Sequence, residues 1–143
     1  MKSIKRNASV RWKSGAASQN QEIKMENFIT LSKTTLQVPL QFESDGAPAA
    51  LFAAAHASSF SMALSNQLQE VQMDSGTFLT TAVVTIEDRP AGWTVSNVHL
   101  TVLAKLPKIS QCDFIDATVR AKTNCTISRL ISANISMNAK LEK

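Results

Sequence analysis

The chain has 143 residues, 44% apolar and 18% charged, with four Gly and four Pro; these values fit one globular domain spanning 1–143 and exclude a low-complexity chain. Fifteen basic against eleven acidic residues leave a net charge of +4, too small and too scattered to predict a nucleic-acid partner. No apolar h-region follows the N-terminal charges and the two cysteines form no framework, so a reducing, cytoplasmic setting is expected and the sequons at Asn7, Asn124 and Asn134 are chance matches.

Ile4 to Lys13 alternates apolar Ile4, Ala8, Val10 and Trp12 with polar partners, the pattern of a half-buried strand. Glu22 to Leu31 opens with the same alternation, and Leu36 to Phe42 is β-prone, with Pro39 marking an edge or bulge. Three antiparallel strands are therefore expected before a turn at Glu43–Gly46.

Ala47 to Val71 then reads as one long helix of about 24 residues, close to 36 Å. Pro48 suits its first turn, and Ala, Leu, Met and Gln dominate the remaining turns. Phe52, Ala55, Ser59 and Met62 share one side, while Leu51, Ala54, Ser58 and Phe60 lie on others. A helix apolar all round is buried all round. His56, Ser58, Ser59, Ser61, Ser65 and Asn66 leave no run long enough for a membrane span, so the other elements should wrap this helix.

Phe78–Glu87 and Trp93–Leu106 flank the turn DRPAG and predict a long hairpin, with Val98, Leu100, Val102, Ala104 and Leu106 on one face. Ser110 with Asp113 three residues on marks a helix start. That helix should run to about Lys122 and bury Phe114, Ile115, Thr118 and Val119. Asn124 can cap a short piece from Cys125 to Leu130. Ile131 to Lys143 alternates strictly and should close the fold as a strand. The order βββ–α–ββ–αα–β is α+β with antiparallel sheets.

Few residues carry chemistry. His56 stands one turn before Ser59, so a Ser–His nucleophilic pair is conceivable, yet no acid lies nearby to orient the histidine; a structural His56 is the preferred reading. Cys125 sits at a helix N-terminus that favours its thiolate, although a small core residue is the plainer reading. A Cys112–Cys125 disulfide is not expected, since about 20 Å of helix separates the two. Two histidines and two separated cysteines make no metal site, and no cofactor is expected. Phe52, Phe60, Met62 and Trp93 are either pocket or core.

Ala53–Leu64, AAAHASSFSMAL, and Ala121–Leu130, AKTNCTISRL, resemble the two cysteine-bearing segments of the OsmC/Ohr superfamily, the osmotically inducible and organic hydroperoxide resistance proteins. The resemblance implies an intertwined homodimer whose antiparallel sheets wrap both long helices, with two sites at the interface. It also implies a thiol peroxidase in which a peroxidatic cysteine on the central helix forms a sulfenic acid that a second cysteine resolves. Ser59 stands at the peroxidatic position, Ala49 where the family has a glutamate and Gln41 where it has an arginine. Cys125 alone matches, at the resolving position. A serine hydroxyl has no accessible anion near neutral pH, so the expected function is a non-peroxidatic binding or stress-related homodimer, with a small apolar or peroxide-like ligand near Ser59, Ala49, Gln41, His56, Phe52 and Phe60. The alternatives are a residual hydroperoxide reductase or sensor using Cys125, and an esterase built on Ser59 and His56.

Overall fold

The computed structural model describes residues 3–13, 21–25, 31–32, 46–73 and 76–142. The expected strand at 36–42 and the residue Gln41 lie outside them. In chain order the elements are β1 (Ser3–Lys13), β2 (Gln21–Met25), β3 (Leu31–Ser32), α1 (Gly46–Glu70), β4 (Thr77–Arg89), β5 (Gly92–Lys105), α2 (Gln111–Asn124), α3 (Thr126–Leu130) and β6 (Asn134–Leu141). The fold is α+β, with one six-stranded sheet in the order β3-β2-β1-β4-β5-β6.

The sheet is mixed, which corrects the all-antiparallel expectation. β1 to β5 pair antiparallel, but β6 lies parallel to β5, with Val98 opposite Ile135 and Leu100 opposite Met137. The cause is the connection. β5 and β6 are joined through two helices, long enough to carry the chain back to the end of the sheet from which β5 starts. Period-two alternation reports a strand and its faces, not its direction.

The inner face of the sheet comes from every second residue: Ala8, Val10 and Trp12 of β1; Phe78, Ala82, Val84 and Ile86 of β4; Val98, Leu100, Val102 and Ala104 of β5. Trp12 stacks on Phe78 with ring centroids 5.0 Å apart. The hairpin carries a bulge, where Thr85 faces Asn97 but Ile86 faces Val95. The extra residue, Ser96, turns its hydroxyl onto the Thr85 carbonyl at 3.2 Å. The bulge resets the alternation, so Trp93 and Val95 pack against the same core as Val98 and Leu100.

Across this face lies α1, mainly over β1 and β4. Its buried side is Ala49, Ala50, Ala53, Ala54, Ala57, Phe60, Leu64 and Leu68. The other side stays open in the single chain, with Ala55 and Asn66 exposed and Met62 56% exposed. None of the described helices is long and apolar enough to cross a membrane. The helix ends in a Schellman motif: Met73 N–H donates to the Leu68 carbonyl at 2.9 Å, Gln72 N–H to the Gln69 carbonyl at 3.1 Å, and Gln72 takes φ +57°.

The start of α2 agrees with the sequence, because the Asp113 amide donates to the Ser110 hydroxyl at 3.1 Å. Its buried stripe is Phe114, Ala117, Thr118 and Ala121. Ile115 and Val119, expected inside, are 40% and 51% exposed, since each lies about 100° around the helix from that stripe. Asn124 ends α2 rather than capping α3, and Cys125 takes the N-cap position.

Two substitutions check this account. Gln72→Gly relieves the left-handed backbone and should raise unfolding free energy by about 1 kcal/mol in urea titration. Phe60→Ala, at a fully buried contact between α1 and the sheet, should lower it by about 3–5 kcal/mol.

Candidate functional site

Three serine or histidine side chains meet one sulfur where α1 passes the junction of α2 and α3. Cys125 is held by that junction and is 0% exposed. Its Sγ donates to Ser59 Oγ of α1 at 3.3 Å, across 66 residues of sequence. One turn earlier on α1, His56 Nε2 lies 2.8 Å from Ser128 Oγ of α3. His56 is also 0% exposed, and its Nδ1 has no hydrogen-bond partner among the described residues. Phe52 packs edge-on to the imidazole, with ring centroids 6.0 Å apart. The histidine and serine that sequence spacing paired with each other instead each face the α2–α3 side.

These neighbours set the acidity of the thiol. Burial pushes it up, but hydrogen bonding to the side chains of His56, Ser128 and Ser59, with the Ser128 backbone, outweighs burial and lowers it from an ordinary 9.0 to about 6.

Ser59 is half-buried because its far side opens on a cavity of about 390 Å³, walled by Ala55, Ser58, Met62 and Asn66 of α1 and by Asn124, Thr126 and Ile127. The thiol therefore lies behind Ser59, one contact in from the cavity. Of the other expected site residues, Ala49 is buried in the core, Phe60 faces the sheet, and Phe52 is half-buried; none of them lines this cavity. Both cysteines are free, with Cys112 exposed. Sequence reasoning missed Ser128. Its signal was the three-residue spacing from Cys125 across a helix start, which brings N-cap and N3 together. Met62 and Asn66 were legible as the stripe that continues Ser59 along α1.

The OsmC-like protein family profile matches residues 41–140. The peroxiredoxin OsmC of Escherichia coli (strain K12) is 33% identical over 95 residues, which is 66% of this chain and 66% of that protein. The match thus spans just under two thirds of the curated relative's length. Among solved structures, an OsmC-like protein from Mycoplasma pneumoniae aligns with a TM-score of 0.62 at 13% identity, over 94% of this chain and 96% of that one. An organic hydroperoxide resistance protein from Elizabethkingia anophelis aligns with a TM-score of 0.57 at 20% identity, over 96% and 95%. At these identities the structural likeness establishes the fold.

The thiol titration has a checkable sign. The folded value lies below the unfolded one, so ionisation stabilises the fold fully above about pH 9 and this gain disappears as pH falls through about 6. The melting temperature of the wild type relative to Cys125→Ser should therefore climb between those limits. Thiolate ultraviolet absorbance should show a midpoint near 6 that moves up in His56→Ala.

Proposed function

The chain belongs to the OsmC-like protein family, whose relatives are hydroperoxide-resistance and redox proteins, and we propose that it has given up the two-cysteine peroxidase cycle and retains Cys125 as a single reactive thiol. The observation that carries this reading is the geometry around Cys125, whose Sγ lies 3.3 Å from Ser59 Oγ beside the His56–Ser128 pair at 2.8 Å; the lowering of its thiol pKa agrees with it. Ser59 occupies the position of the family's peroxidatic sulfur, and Ala49 and Gln41 those of its glutamate and arginine. Nucleophile, orienting carboxylate and cation are then all missing from their usual places.

The remaining chemistry balances with one sulfur. The Cys125 thiolate attacks the outer oxygen of an organic hydroperoxide, an S–O bond forms, the O–O bond breaks, and the alkoxide leaves to take a proton. A small external thiol then attacks the sulfenic sulfur with loss of water, and a second thiol releases Cys125 by exchange. Cys112 is exposed at the far end of α2 and is not placed to resolve it. Because the sulfur is covered by Ser59, oxidation is slow, and the role is that of a sensor or weak peroxidase of the cytoplasm rather than a fast scavenger.

The open side of α1 argues for a homodimer. Met62 and Ile115 leave apolar surface on neighbouring helices that a second copy would cover. A second reading, a binding protein with no redox turnover, draws support from the complete burial of Cys125 and from the cavity that Ser59 lines.

Cumene hydroperoxide with a sulfenic-acid trap decides between the two. One adduct per chain, on Cys125 and absent from Cys125→Ala, is expected; no adduct favours the binding protein. Ser59→Cys places a second sulfur where Ser59 Oγ lies 3.3 Å from Cys125. It should form an intramolecular disulfide on oxidation and raise dithiol-dependent peroxide consumption at least about tenfold. Met62→Glu should lower the mass measured by light scattering to that of one chain, and a wild type already of that mass would remove the dimer.

A further inference from the structure

A second cleft, of about 410 Å³, opens between the α2–α3 segment and the edge strand β6. Its size is within the range of small-molecule sites, roughly 300–1,000 Å³. Val119, Ile135 and Met137 give it apolar walls, while Lys122, Thr123, Ser128 and Arg129 give it polar ones. Among the described residues no carboxylate lines it. Among those residues, too, the ion pairs are Arg89–Glu87, Lys105–Glu142 and Arg120–Asp116, and neither Lys122 nor Arg129 takes part in one.

Each of these cations sits in the last turn of its helix, where it favours the helix dipole. That accounts for a basic residue at each helix end. It does not account for two of them, from different helices, meeting over one apolar cleft. A small inorganic anion would leave the apolar walls uncovered, and a neutral lipid would leave the cations unmatched. A carboxylate suits the planar guanidinium of Arg129, and an alkyl tail suits Val119, Ile135 and Met137.

We propose that the α2–α3–β6 cleft binds an organic carboxylate with an apolar tail, its head group held by Lys122 and Arg129 and touching Ser128. Binding needs no sulfur, so the site stands apart from the thiol chemistry of Cys125. The two are nevertheless connected by one side chain. Ser128 lines this cleft, and its Oγ also lies 2.8 Å from His56 Nε2 in the cluster around the thiol. A carboxylate that draws the Ser128 hydroxyl toward itself takes a hydrogen bond from that cluster.

Calorimetric titration of the full chain with decanoate and with decanol, both below aggregation, tests the site. Decanoate should bind at least about tenfold more tightly than decanol. Lys122→Gln/Arg129→Gln should weaken decanoate at least about tenfold and leave decanol unchanged. Cys125→Ala should still bind decanoate at least about tenfold more tightly than decanol, which separates this site from any failure of the thiol reading. Both substituted positions are surface residues whose loss leaves the core intact, as circular dichroism checks. Equal binding of decanoate and decanol, or undiminished decanoate binding by the double variant, overturns the proposal. The rate of Cys125 alkylation should fall on adding decanoate to the wild type and stay constant in the double variant; a rate unchanged in both overturns the contact with Ser128.

Discussion

The close approach of α1 to the sheet is the constraint that decides the other arrangements. Ala49, Ala50, Ala53, Ala54 and Ala57 form most of the first half of the helix's buried side, and small side chains let the helix backbone settle low over β1 and β4. Larger residues enter only where there is room, with Phe60, Leu64 and Leu68 in the second half. This placement also fixes which side of α1 remains for chemistry. His56 and Ser59 are turned toward α2 and α3, and Met62 and Asn66 continue that side outward.

The thiol environment is a consequence of that packing more than of local sequence. A cysteine at the start of a five-residue helix receives little from that helix alone. Cys125 is acidified by a set of hydroxyl and imidazole groups from two distant parts of the chain, brought into contact by the burial of α1 against α2. A buried polar cluster of this kind is tolerated because its members satisfy one another at every atom but His56 Nδ1.

Much of the fold was legible because it is written in short periods. The alternation in Ile4–Lys13, in the hairpin and in the closing strand gave the strands and their inner faces, and Ser110–Asp113 gave the start of α2 with its capping bond. The direction of β6 was not legible, because a strand reads the same in either sense and only the crossover through two helices decides it. Ile115 and Val119 were misplaced because an apolar stripe and its immediate neighbour look alike in sequence when both are aliphatic. At the site, Cys125 and Ser59 stood out through the family resemblance, and the fold brings them to 3.3 Å from each other. The link through Ser128 was not, since it depends on how α3 leans on α1.

The bulge at Ser96 also restricts how the hairpin can vary. Ahead of it, Trp93 and Val95 reach the core from odd-numbered positions; beyond it, Val98 and Leu100 do so from even-numbered ones. Deleting Ser96 would restore a continuous ladder but swing the indole of Trp93 to the solvent side, or else slip the whole tip against β4. Length changes near that tip are therefore admissible only in pairs, and this single serine sets the phase of the whole hairpin.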